Sequence, residues 1–274
     1  MTAKRGFDLG ILNRLQWYGD FLVRDPIGFV IYMLYLAVSV LLTLTLHEVA
    51  HGYVAYRCGD PTAKMLGRLS LDPRKHLDPI GTAMLFVLGF GWAKPVPVNP
   101  RNFKNYRRDD FLVSVAGVTV NFTLFLLSTG LAVALNGLLW KPDVMAYFGG
   151  AKALVSSTGP GAAILLSGFG ADYAEFMRMP WLQHIQRFLL LFSTMNLGIG
   201  IFNLLPIPPL DGFHIANDLL LKGRLRLDGQ AFEMTRMILM LLMFTGALGN
   251  LLSTVRGAIE NGVLNLFFLI AGQA

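Results

Sequence analysis

The sequence predicts an all-α polytopic membrane protein, with about four to six transmembrane or re-entrant segments, a proline-broken helix at its chemical centre and a short extended loop or β-strand. Three observations predict it. Of 274 residues, 54% are hydrophobic and only 15% charged, where a globular domain carries about 25% charged residues. Several apolar runs reach the roughly 20 residues that cross a bilayer. One of these runs contains two histidines and a glutamate, side chains that cost free energy in a membrane and mark functional sites there.

Along the chain, Phe7, Ile11, Leu15, Tyr18 and Leu22 recur at helical spacing, with Arg14, Asp20 and Arg24 between them. Residues 1–26 are therefore expected to form an amphipathic helix on the membrane surface, the alternative being a soluble helix packed on a partner. The apolar run that begins near residue 27 is too long for a cleavable signal peptide, so none is expected. Three runs qualify as spans: Ile27 to Tyr56, Phe111 to Trp140 and Ile185 to Leu205. Ala231 to Val255 is a fourth, with Glu233 and Arg236 in its first turns. Ile80 to Trp92 is short and ends in glycines, so a re-entrant segment is expected. Ala153 to Ala171 is broken by Ser-Ser-Thr-Gly-Pro-Gly and reads as re-entrant or surface-lying. Residues 256–274 form a C-terminal apolar segment.

The net charge of +6 reads as membrane topology, not as affinity for nucleic acid, because the basic residues sit in loops between apolar runs. Arg57, Lys64, Arg68, Arg74 and Lys75 share one face with Lys94, Arg101, Lys104, Arg107 and Arg108 if Ile80 to Trp92 does not cross. That face is expected to be cytoplasmic. A single cysteine, Cys58, excludes an intramolecular disulfide and reads as a packing residue.

His47-Glu48-Val49-Ala50-His51 is an H-E-x-x-H motif. On a helix both imidazoles project from one face and can bind one zinc ion, with Glu48 in reach of its water as general base. His47 lies roughly 15 Å along the helix from Arg57, so the site is in the membrane, toward the basic face, and needs a polar route for water.

Catalytic zinc takes three protein ligands. Asp211 is the leading third candidate, in Asn203-Leu204-Leu205-Pro206-Ile207-Pro208-Pro209-Leu210-Asp211-Gly212. The prolines must break the Ile185 run, and a broken segment inside a membrane lines a cavity or is buried in protein. The stretch from Asp211 to Lys222 spans about 16 Å if helical, which brings Asp211 to the depth of His47. His214, three residues on, is the main rival ligand. His76 reads as an interfacial residue or a loop organiser, and His184 begins a span on the far side.

Together the HEVAH motif, the NLLPIPPLDG segment and the GRLSLDPRKHLDPIG and GWAKPVPVNPRNF stretches resemble the site-2 protease family of intramembrane zinc metalloproteases, over roughly Ile27 to Leu221. The last two stretches are similar to the compact prokaryotic branch without a PDZ domain, and no such domain is expected here. The resemblance implies an intramembrane metalloprotease domain over 27–255, with zinc on His47, His51 and Asp211 and water activated by Glu48. It implies substrate or oxyanion roles for Asn121 and Asn203. Asn121 belongs to Ala116-Gly117-Val118-Thr119-Val120-Asn121, where Val118 replaces the family's proline; an interhelical hydrogen bond is the alternative reading. Asn203 alternatively supports the broken helix.

The reading that follows is a zinc endopeptidase acting within or beside the transmembrane helices of single-pass membrane proteins. It would sit in the lipid bilayer of a prokaryotic cytoplasmic membrane with its site toward the cytoplasm. The sequence leaves its oligomeric state open. GWAKPVPVNP, with Val96 and Val98 alternating, reads equally as a loop or as a strand edge for an unwound substrate. A membrane zinc transporter or zinc-binding scaffold is the alternative function; it would have no use for Glu48 inside the motif.

Overall fold

The computed structural model describes residues 10–88, 91–167, 173–225 and 227–272. Their regular structure is helical: α1 (Gly10–Arg24), α2 (Pro26–Arg57), α3 (Thr62–Met65), α4 (Pro79–Leu88), α5 (Tyr106–Leu139), α6 (Pro142–Tyr147), α7 (Ala151–Val155), α8 (Pro160–Leu166), α9 (Leu182–Asn203), α10 (Asp211–Leu220), α11 (Gly229–Phe244) and α12 (Ala247–Ile270). Among the described residues β pairing is limited to the isolated bridges Leu77–Ala93 and Trp140–Met177. Three helices, α2, α5 and α9, are long and apolar enough to cross a membrane, or four spans if the broken pair α11–α12 counts as one. Among its described residues, Ile80 to Trp92 contributes helix only as part of the ten-residue α4; residues 89 and 90 lie outside them.

The chain divides into two compact units. One comprises Met1–Gln16, Leu41–Asn121 and Gly198–Ser253; the other comprises Trp17–Val40, Phe122–Leu197 and Thr254–Ala274. In the second unit Trp17 meets Tyr32 edge-on, and Phe21 meets Phe29, at centroid distances of 5.3 and 5.7 Å. These contacts hold α1 against the start of α2. Phe21 is buried while Leu22 is exposed; Phe7 lies outside the described residues. Asp25 Oδ1 accepts from Gly28 N–H at 2.8 Å, and Pro26 begins α2, where its missing N–H leaves no donor unpaired.

The core of this unit is built from Leu139, Trp140, Leu154, Leu165, Leu264 and Phe268. Here the Ser-Ser-Thr-Gly-Pro-Gly break does what its composition requires. The stretch folds into α7 and α8, and Gly161 lies so close to the Leu154 carbonyl that a side chain would clash. Among its described residues it forms no span; residues 168–171 lie outside them. Glu260 of α12 accepts from both the backbone N–H and the hydroxyl of Ser157, each at 2.5 Å.

One expectation is corrected. Ala231 to Val255 is not a continuous helix, because the chain leaves α11 at Thr245 and Gly246, and Gly246 adopts φ +70°. Left-handed backbone ends a helix and suits glycine. The C-terminal apolar residues are instead part of α12, which runs through to Ile270.

The first unit carries the motif. Along its part of α2, Leu42, Tyr53 and Tyr56 are exposed, whereas Thr43, Leu44, His47 and His51 are buried. Both sets follow the helical repeat, so one stripe faces outward and the other carries the histidines inward. α2 ends in a left-handed Gly59 (φ +108°), with Asp60 N–H returning to the Ala55 carbonyl at 2.9 Å, the closure expected of a glycine-ended helix. Asp60 itself is fully buried. Its carboxylate accepts from Thr62 and Asn102, and from the backbone of Asn99 at 2.7 Å, tying the end of α2 to the loop before α5. Burial pushes the Asp60 carboxyl upward, but these hydrogen bonds outweigh it and hold the pKa below the usual value. At the start of α5, Asn105 Oδ1 accepts from Arg108 N–H while Asp109 accepts from Asn105 N–H, a reciprocal cap.

Candidate metal centre

His47 and His51 sit one turn apart on the inward stripe of α2, and Asp211 is the first residue of α10. The break between α9 and α10 lies where the prolines demand it, at Leu204 to Leu210. Gly212 packs against the backbone of Leu204 and Leu205 with no room for a Cβ, which turns the chain back so that α10 starts beside α2.

Three donor atoms converge. His47 Nε2 and His51 Nε2 are 3.0 Å apart, and they stand 3.4 and 3.3 Å from Asp211 Oδ2. Zinc bonds of 2.0–2.2 Å in a tetrahedron place neighbouring ligand atoms about 3.3 Å apart, so this triangle has the size of one face of a zinc site. The donor set, two imidazoles and a carboxylate, is also one that catalytic zinc uses. Asp211 Oδ2 is buried without a hydrogen-bond partner, an acceptor left open to a cation. These residues fit the metal. The three together are also the one His/Cys/Asp/Glu group of metal-binding geometry among the described residues.

The surroundings orient the donors. His51 Nδ1 donates to the Val113 carbonyl of α5 at 2.7 Å, a contact that leaves the Nε2 lone pair for metal. Gly117, one turn further along α5, lies against both rings; a Cβ there would stand 2.7 Å from His47 Nδ1 and closer still to His51 Nε2. Glu48 is nearly buried, and its Oε2 accepts from the Val96 N–H at 2.7 Å. Val96 belongs to the extended Pro-rich run, whose Lys94 and Pro95 carbonyls both accept from Arg68 at 2.8 and 3.1 Å. Pro95 and Pro97 have no N–H, so Val96 supplies the one amide donor across that tripeptide, and it meets the motif's carboxylate.

A cavity of about 420 Å³ opens on these groups, lined among others by Glu48, Trp92, Val98, Ser114, Asn203 and His214. The structure therefore brings His47, Glu48, His51, Asp211 and Asn203 to one site. Asn121 is not among the cavity's lining residues. It lies four residues past Gly117 on α5, fully buried, with neither side-chain polar atom hydrogen-bonded. His214 is outside the donor triangle and pairs instead through Nδ1 with Asp110 Oδ2 at 3.2 Å. His76 is buried and bonds the Ser70 carbonyl at 2.7 Å, organising its loop. His184 belongs to the second unit, where it meets the Tyr35 hydroxyl.

Sequence reasoning did not find the Val113 carbonyl, the Val96 amide, the Gly117 contact or the Asp110–His214 pair. Asp110 had a signal, a carboxylate next to the start of an apolar run. Backbone donors and acceptors have none, since every residue carries them.

The sequence model of peptidase family M50 matches residues 35–246. The chain belongs to peptidase family M50. Relatives agree with that membership of the family. YwhC of Bacillus subtilis, named as a zinc metalloprotease, is 36% identical over 239 residues, 87% of this chain and 93% of its own. Rip2 of Mycobacterium tuberculosis, likewise named, is 38% identical over 108 residues, 37% of this chain and 39% of that protein. Rip2 of Mycolicibacterium smegmatis is 28% identical over 141 residues, half of this chain and 52% of its own. No solved structure matches the chain. As an M50 peptidase with apolar helices of membrane-crossing length, the protein is a membrane zinc metalloendopeptidase.

Proposed function

We propose that this M50 peptidase hydrolyses peptide bonds within or next to the transmembrane helices of single-pass membrane proteins, as a step of regulated intramembrane proteolysis. It would do so in a prokaryotic cytoplasmic membrane, with the site toward the cytoplasmic face. The observation that carries this reading is the convergence of Asp211 with His47 and His51, which lie on a helix of membrane-crossing length, beside a cavity lined by Glu48. His47, His51 and Asp211 would hold the zinc. Bound there, zinc supplies Lewis acidity that polarises a carbonyl and brings the pKa of water near neutrality.

The chain's own groups do the rest. Glu48, fixed by the Val96 amide through one oxygen, takes a proton from the attacking water with the other and delivers it to the departing amine. The fixed amide keeps the carboxylate in one orientation at the cavity wall. Asn203, on the cavity wall at the end of α9, would hydrogen-bond an unwound substrate. A transmembrane helix hides its peptide bonds in internal hydrogen bonds, so the substrate must unwind first. The extended Gly91 to Asn99 run supports a reading in which the unwound segment lies alongside it.

The test is cleavage of a panel of single-pass membrane peptides by purified protein, wild type against Glu48→Gln, with zinc measured in both. Glu48→Gln is expected to keep zinc and lose cleavage. Undiminished proteolysis by Glu48→Gln would refute the assignment.

A further inference from the structure

The donor triangle and Glu48 leave one polar pair in the same cavity without a task. Asp110, near the start of α5, and His214, on α10, both line it. His214 follows Asp211 by three residues on one helix, so the two side chains share a face and lie about 4.5 Å apart along its axis. His214 Nδ1 is tied to Asp110 Oδ2 at 3.2 Å, and the His214 side chain remains 43% exposed while Asp110 is 13% exposed. A carboxylate on one ring nitrogen fixes the ring plane and stabilises the imidazolium form, in which both nitrogens donate. Nε2 is then the donor that remains for a ligand in the cavity. His214 does not belong to the metal-binding triangle. Its partner, Asp110, is a carboxylate from a different helix.

We infer that His214, oriented by Asp110, is a further catalytic residue of this site. Its Nε2–H donates to the oxygen of the scissile carbonyl as that oxygen gathers negative charge during attack by water. No bond to His214 forms or breaks; the proton stays on Nε2, and the hydrogen bond strengthens as the charge develops. Asp110 is a positioning residue, acting through the ring. The inference rests on the hydrolytic reading of the cavity but not on the class of membrane substrate.

The experiment uses the full chain in detergent, comparing wild type with His214→Gln, Asp110→Asn and His214→Gly. Four quantities are read: zinc per protein, kcat and KM on a cleaved membrane peptide, and affinity for a phosphinic peptide whose tetrahedral phosphorus oxygen mimics the attacked carbonyl. His214→Gln is expected to keep full zinc and a near-normal KM. Its kcat should fall about 10²-fold, the loss typical of one oxyanion donor, and its phosphinic-peptide affinity should fall by at least 10-fold. Asp110→Asn should shift both in the same direction by less, and added imidazole should restore turnover to His214→Gly. Loss of zinc in His214→Gln would overturn the inference and make His214 a ligand. Unchanged phosphinic-peptide affinity at full zinc would overturn it as well. The binding comparison decides the matter even if no membrane peptide is cut, a result that would count against the proposed substrate class alone.

Discussion

Gly117→Ala separates the packing of the metal centre from the stability of the fold. In the middle of a helix this change ordinarily stabilises by about 1 kcal/mol. At 117 the added methyl would stand 2.7 Å from His47 Nδ1 and closer to His51 Nε2, where ordinary contact is about 3.5–4.0 Å. The two rings, or α5 itself, must therefore give way by roughly 1 Å. Metal–ligand distances tolerate about 0.2 Å, so the triangle cannot survive the shift intact. Overpacking costs about 1–3 kcal/mol, part of which the helix gain offsets, leaving a net loss of about 2 kcal/mol or less. Zinc affinity should fall by at least about 10–100-fold, the scale seen when ligand orientation is disturbed. Gly137→Ala, on the same helix with nothing within 4 Å of its Cβ, is the control and should keep zinc. The assay is competition against a graded zinc chelator, with thermal unfolding of the same samples. Wild-type zinc affinity in Gly117→Ala would refute the close approach of α5 to the two histidines.

Gly212→Ala drives a methyl into the carbonyls of Leu204 and Leu205, backbone that cannot rotate away, so both zinc content and thermal stability should drop together; zinc analysis and an unfolding scan check this. Asp60 sets an acid limit. Its native pKa lies below the unfolded value of about 3.9, so the anion's contribution is complete above about pH 4 and is lost as the pH falls through the native value. Asp60→Asn should cost about 1.5–3 kcal/mol near pH 6, the worth of hydrogen bonds to a charged group, and should narrow its deficit relative to wild type in unfolding scans below about pH 3.5. Glu260→Ala leaves Ser157 without its acceptor and should destabilise the second unit by about 1.5–3 kcal/mol, read as faster proteolysis or hydrogen exchange in α7, α8 and α12.

How far the sequence reached depends on the kind of interaction. α2, α5 and α9 were legible because a bilayer demands some 20 apolar residues in succession, and Ile27 to Tyr56 advertises that demand. The α9–α10 break was legible because proline cannot continue a helix. The break at Gly246 was not, since a single glycine is tolerated inside many apolar helices and only its φ of +70° reveals a stop. Of the two readings its loop context allowed for His76, the bond to the Ser70 carbonyl favours the loop organiser. Asn121 stands in register with the family element, and its side chain is buried and is not among the cavity's lining residues.

By itself the sequence determined the medium, the spans, the zinc-binding pair His47 and His51 with Glu48 beside them, and Asp211 as the leading partner. Each follows from local rules of period, length and proline chemistry that act along the chain. Only the tertiary structure decided that the three donors close to 3.0–3.4 Å, that the Val96 amide holds Glu48, and that His214 turns from the triangle to Asp110. Those outcomes depend on contacts between residues up to 164 positions apart, such as His47 with Asp211. Much of what orients them is backbone, which every residue carries and no side-chain pattern can encode.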